Sequence, residues 1–312
     1  MTRIAGAARP RPRGRRRESL ALWWRAARPY SLTASVTPVL LGTAAAAHDG
    51  RFAPLVFVAT LVGAVAIQAG TNMLNDYYDY ARGVDTGESI GPGGLIQHGL
   101  LSPGAVRAGG FALFGVGSVL GLWLVAVAGW PVLAAGVLSL LAGYAYTGGP
   151  LPLGYNGLGD LAVFVFMGPV IVLGAYFVQA RALGPSAWWL SVPMAALVTA
   201  ILVVNNLRDL DGDRRCRKRT LATMIGPRAS RAEYTALAVL AYAAIVGGVA
   251  ARGLPPLSLV ALLTAPAAVS LCRRLARDTD PIALTHALRD TAQLHQRTGM
   301  LLTAAVLLSG PR

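Results

Sequence analysis

Nine mainly apolar runs divide this chain, near residues 31–47, 53–74, 108–129, 131–147, 158–180, 187–204, 234–251, 256–271 and 291–309. A helix that crosses a bilayer needs about 20 such residues, and lipid offers the backbone no hydrogen-bond partner outside the helix itself. Charged residues make up only 13% of the 312 and hydrophobic ones 54%, whereas a soluble domain is about 25% charged. The expectation is an all-α polytopic membrane bundle of nine transmembrane helices.

The basic residues test that count, because cytoplasmic loops are enriched in Lys and Arg. With the N-terminus inside, the inner segments hold 24 of the 28 Lys and Arg residues, and only Arg51, Arg181, Arg252 and Arg312 fall outside. One span more or fewer would invert the later loops and spoil the asymmetry. The formal charge of +14 therefore reads as a topology signal in a multi-pass plasma-membrane protein. No nucleic-acid partner is expected, since basic patches interleaved with aromatics are missing. Residues 1–28, rich in Arg and punctuated by Pro, read as a disordered basic arm drawn to anionic lipid, and residues 29–312 as the membrane domain. Cys216 and Cys272, both placed on the inner side, imply neither a disulfide framework nor a zinc site.

Six of the fourteen acids stand in two short segments, NDYYDYARGVD from Asn75 and NNLRDLDGD from Asn205. They follow the second and sixth runs, so both emerge on the cytoplasmic side and can face one another. A separation of 130 residues and four spans points to a parallel internal repeat. Side chains three or four apart share a helix face, which lets Asn75 and Asp76 each converge with Asp79. Asn205, Asp209 and Asp213 make a second stripe. Asp211 points roughly opposite Asp209 and reads as a solvated acid, while Asp85, beyond the helix end expected near Gly83, can fold back toward the site.

Stripes of carboxylate and amide oxygens suit Mg2+, which takes one or two carboxylates plus substrate phosphate oxygens. Two facing stripes suit two ions. Arg82 follows the first stripe, and Arg208, Arg214, Lys218 and Arg219 accompany the second; Lys218 is the only lysine in the chain. A diphosphate bridged by metal and contacted by Arg82, Arg208 and Lys218 accounts for the whole arrangement. Two plainer readings stay open. The acids can cap helices and pair with neighbouring arginines, or they can serve a cation transporter, although transporters place such acids at mid-span rather than beside a dense basic cluster.

The pattern NDxxD at Asn75 to Asp79, continuing to Gly83 and Asp85, with NxxxDxxxD from Asn205 and KRTLA from Lys218, resembles the UbiA-type intramembrane aromatic prenyltransferases. Their 1,4-dihydroxy-2-naphthoate subgroup is similar in the stretch YTGGPLPLGYNGLGD from Tyr146 and in TAQL from Thr291. The resemblance implies nine helices around a central cavity under a cytoplasmic loop cap. It also implies Mg2+-dependent transfer of a polyprenyl group from its diphosphate to an aromatic acceptor, with dihydroxynaphthoate losing CO2 on the way to menaquinone. By motif position Asn75, Asp79, Asn205, Asp209 and Asp213 would bind metal and diphosphate with Asp76 and Asp85 nearby, and helix phase adds Asp76 to the metal-facing set. Asp76, Asp79, Asp209 and Asp213 would be catalytic, Arg208 and Lys218 would hold diphosphate, joined by Arg82 from its place beside the first stripe, and Tyr146 would line the cavity. An acceptor other than dihydroxynaphthoate, or an intramembrane terpene cyclase, shares these motifs. The chain departs from the subgroup in the loop from Glu88, which carries no arginine until Arg107. His98 in that loop reads as a surface or packing residue.

Overall fold

Each apolar run forms a helix, and the polar or proline-bearing breaks between them set where the helices end. The structure, a computed structural model, describes residues 14–84 and 94–310. The helices are α1 (Gly14–Ala26), α2 (Thr33–His48), α3 (Pro54–Ala81), α4 (Pro103–Ala128), α5 (Trp130–Ala145), α6 (Gly159–Val165), α7 (Ile171–Ala180), α8 (Pro185–Arg208), α9 (Leu210–Arg215), α10 (Leu221–Ala250), α11 (Ala265–Arg277) and α12 (Pro281–Leu308). A 3-10 stretch, Pro256–Thr264, leads into α11. No strand occurs among the described residues.

Seven helical segments among the described residues are long and apolar enough to cross a membrane: Pro29–His48, Pro54–Ala81, Pro103–Ala128, Gly159–Ala180, Pro185–Arg208, Leu221–Ala250 and Pro256–Arg277. The other two expected runs are helical as well. Trp130–Ala145 has only 16 residues, and α12 is long but carries Arg289, Asp290 and Arg297. The chain is thus an all-helical, multi-pass membrane protein.

Burial divides the bundle. Leu190, Met194, Leu197 and Val204 of α8 are fully buried, and α8 packs against α2, α6, α10 and α12. On α4 and α5, Val119, Leu138 and Leu141 are exposed, the apolar outer surface expected of helices that face lipid. The segment Gly159–Ala180 is interrupted by a π-helical turn, Phe166–Val170, around Pro169. Proline supplies no N–H and crowds the preceding turn, and a π turn absorbs the mismatch. Gly168 lies where α8 comes closest, for a Cβ there would sit 2.2 Å from the Cβ of Ala195.

The disordered-arm reading of residues 1–28 does not hold from Gly14 onward. Residues 14–26 are helical, and Leu22, Trp23 and Ala26 pack with Met73, Leu95, Ile96 and Val106. The apolar residues at the end of this helix dock it against α3 and α4. Residues 1–13 lie outside the described residues.

Candidate functional site

Both acidic segments lie at C-terminal helix ends, α3 and α8, beside one cavity of about 1340 Å³. Its deep walls are apolar, including Val39, Ile67, Leu124, Leu140, Val163 and Phe166. At one end the lining turns polar, with Arg28, Asn75, Asp79, Tyr146, Asp160, Asn205, Arg208 and Lys218. The cavity can therefore hold a long apolar chain with a charged head.

On α3, Asn75, Asp76 and Asp79 all lie inside the helix, which runs on to Ala81. Asn75 and Asp79 reach the cavity wall and Asp76 does not. Asp76 is buried and ion-paired with Arg28. Burial by itself would pull the Arg28 pKa down, but the groups around it, Asp76 first and then Tyr30 and Asp79, together outweigh that and the guanidinium stays firmly charged. Arg28 adopts a left-handed backbone, φ 53°, as the chain turns from α1 toward α2, and Asn72 Nδ2 fixes that turn by donating to the Ala27 carbonyl at 3.0 Å and to Ser31 Oγ at 2.9 Å.

At the end of α8 the helix breaks at Asp209 (φ −92°, ψ 3°) and restarts as α9. The expected stripe therefore bends. Asp213 N–H still donates to the Asp209 carbonyl at 2.8 Å, but neither of those carboxylates lines the cavity, whereas Asn205 does. Arg208 grips Asp209 with two bonds, Nε to Oδ1 at 2.8 Å and Nη2 to Oδ2 at 2.6 Å, and gives Asn205 Oδ1 a third at 2.9 Å. Asp213 is buried 3.7 Å from Lys218 Nζ. Asp211 is 90% exposed, solvated as its helix phase implied. Asp85 lies outside the described residues, and His98 is exposed.

The segment between α5 and α6 ties these two ends together. Thr147 Oγ1 donates to Asn75 Oδ1 at 2.7 Å, and the Tyr155 hydroxyl donates to Asp79 Oδ1 at 2.5 Å. Arg82 donates to the carbonyls of Thr147 and, at 2.9 Å, Gly149, so it stands behind the wall rather than on it. On the other side, Gly157 N–H donates to the Arg219 carbonyl at 2.7 Å, and Lys218 Nζ lies 5.0 Å from the centre of the Tyr155 ring. Burial, then the Asp79 charge, then the bond to Asp79 push the Tyr155 phenol pKa upward, which keeps its proton in place as a donor. Reading the sequence missed Thr147, Tyr155, Asp160 and Arg28 as site residues. The first three lie in the YTGGPLPLGYNGLGD stretch, whose two tyrosines and lone acid were the available signal.

Among the described residues, no three His, Cys, Asp or Glu side chains gather as a ready metal cluster. The donors nonetheless fit Mg2+. Asn75, Asp79 and Asn205 bring hard oxygens to one end of the cavity from two helices, and Mg2+ completes its shell with water and phosphate oxygens rather than an all-protein cage.

Residues 35–289 match the model of the UbiA prenyltransferase family. A 1,4-dihydroxy-2-naphthoate octaprenyltransferase of Bacillus subtilis is 35% identical over 92% of this chain and 92% of its own length. A Mycobacterium tuberculosis protein of the same description is 36% identical over 88% of this chain and 92% of its own. The fold is similar to that of a UbiA homolog from Archaeoglobus fulgidus bound to GPP and Mg2+, with a TM-score of 0.64 and 13% identity over 91% of this chain and 99% of that one.

Proposed function

The chain belongs to the UbiA prenyltransferase family, and on that premise we propose that it moves a polyprenyl group from a prenyl diphosphate to 1,4-dihydroxy-2-naphthoate, with loss of CO2, in menaquinone biosynthesis. The observation that carries this reading is one apolar cavity whose polar end is made by both acidic segments together, with Arg208 and Lys218 beside them. The cationic side chains at that end disfavour a cation pathway and suit an anionic head group.

Asn75, Asp79 and Asn205 would hold Mg2+ with diphosphate oxygens. Asp209 and Asp213 stand next in line, each now paired with a basic residue that can turn to the substrate. The paired segments support two ions. When bound, the metal neutralises charge on the diphosphate. Arg208 and Lys218 hold the diphosphate and stabilise the charge it gains as the allylic C–O bond breaks and takes its electron pair to the leaving oxygen. A ring carbon of the acceptor supplies the pair for the new C–C bond, and loss of CO2 restores aromaticity. The apolar walls keep water from the allylic cation. Asp76 and Arg82 position the site from behind, through Arg28 and the loop carbonyls. Leu122 of α4 and Leu133 of α5 line the cavity and are accessible to solvent, which supports an opening beside these helices for sideways entrance of the polyprenyl tail from lipid.

The placement of 24 of the 28 basic residues on alternate loops supports nine spans, a cytoplasmic N-terminus and a cytoplasmic active site capped by the loops after α3 and α8, in the plasma membrane. Purified protein with Mg2+, octaprenyl and shorter prenyl diphosphates, and dihydroxynaphthoate should yield the prenylated, decarboxylated product by mass spectrometry. Asp79→Ala and Asp209→Ala should each abolish it without loss of expression. A cyclised hydrocarbon formed without acceptor, or full activity in both variants, would overturn the assignment.

A further inference from the structure

Among the described residues, Asp160 is the one carboxyl lining the cavity that the proposed function leaves without work. It lies in the first turn of α6, 5% exposed, on the cavity wall, and its Oδ2 has no hydrogen-bond partner. Its titratable neighbours are Tyr146, from the connection after α5, and Glu233 of α10. No ion pair to Asp160 occurs among the described residues. Tyr146 also lies within electrostatic range of Asp79 and Asp213, and its hydroxyl would stand 3.3 Å from a Cβ at Gly159. Asp160, Tyr146 and Asp79 thus line the same cavity. A buried carboxyl oxygen with no donor is costly and is retained where a ligand supplies the donor.

Resting on the prenyl-transfer reading, we infer that Asp160 is a catalytic residue that binds the acceptor hydroxyl and takes its proton. The O–H bond breaks, the proton passes to the Asp160 carboxylate, and the oxygen's electron density moves into the ring, whose carbon forms the C–C bond as diphosphate leaves. When CO2 then departs, its bonding pair restores the ring and returns charge to the oxygen, which takes the proton back from Asp160. Asp160 selects acceptors that present a ring hydroxyl. Tyr146, which lines the same cavity within electrostatic range of both Asp160 and Asp79, helps set the spacing of acceptor and donor.

The test compares wild type with Asp160→Asn and Asp160→Glu in lipid nanodiscs, with Mg2+, a prenyl diphosphate and 1,4-dihydroxy-2-naphthoate from pH 6.5 to 9.5. Asp160→Asn should lower kcat about 10²- to 10⁴-fold, the usual contribution of a general base, with the KM for prenyl diphosphate unchanged. Its rate should climb with pH toward the acceptor's own ionisation, about 10 for a simple phenol. Asp160→Glu should restore a wild-type pH profile. Turnover of Asp160→Asn within threefold of wild type at neutral pH would overturn the proposal. So would a loss with no recovery at high pH and an equal loss of acceptor-independent diphosphate release, which would mark a structural residue. Wild type that transfers to no hydroxy-aromatic acid would instead sink the prenyl-transfer reading itself.

Discussion

The ends of α3 and α8 carry similar acids and are wired in opposite ways. At α8 the charges are answered locally, with Asp209 held by its neighbour Arg208 and Asp213 by Lys218. At α3 they are answered from afar, with Asp76 paired to Arg28 and Asp79 bound by Tyr155. The first arrangement can form in an isolated stretch of chain. The second exists only once α1 and the loop after α5 have docked, so the α3 half reports on assembly as well as chemistry.

Removing the distant partner is the harshest test of that contrast. Arg28→Ala leaves Asp76 buried without its cation, and breaking such a pair costs about 3 kcal/mol or more. A clearly lower thermal midpoint in detergent is expected, with Arg28→Ala/Asp76→Asn recovering most of it. A midpoint unchanged by the single variant would show that α1 is not tied to α3 through this pair. Next in size, Tyr155→Phe removes the donor to Asp79. The loss of one hydrogen bond to a charged group is worth about 1.5 kcal/mol, so kcat should fall about tenfold at unchanged expression, and wild-type turnover would deny the loop a part in placing Asp79. The smallest effect belongs to the locally wired half. Asp211, exposed and 3.7 Å from Arg214, contributes only the small energy of a surface pair, so Asp211→Ala should keep its rate within about twofold. A loss matching that of Asp209→Ala would place Asp211 in the site.

The same contrast explains how much of the site could be read in advance. Asn205 and Arg208 are three apart on one helix, and helix spacing alone brings them together. Asp213 and Lys218 are also close in sequence, but they meet across the left-handed turn at Arg217 that follows α9. The break at Asp209 was not legible, because a kink after a long apolar helix depends on what the next segment packs against. Thr147, Tyr155 and Arg28 reach their partners across 72, 76 and 48 residues, distances at which periodicity carries no information. The helix over residues 14–26 was missed because arginine dominates its composition, while in the fold the apolar residues at its end dock it.

By itself, the sequence determined the helical bundle, because lipid forces backbone hydrogen bonds inside each apolar run. The placing of acids at two helix ends was likewise written in the order of residues. Only tertiary structure decided which oxygens face the cavity, that Asp76 turns away to Arg28, and that Asp160 lies beside Tyr146. Those outcomes depend on how helices far apart in sequence pack, and no local rule of spacing or charge encodes that packing.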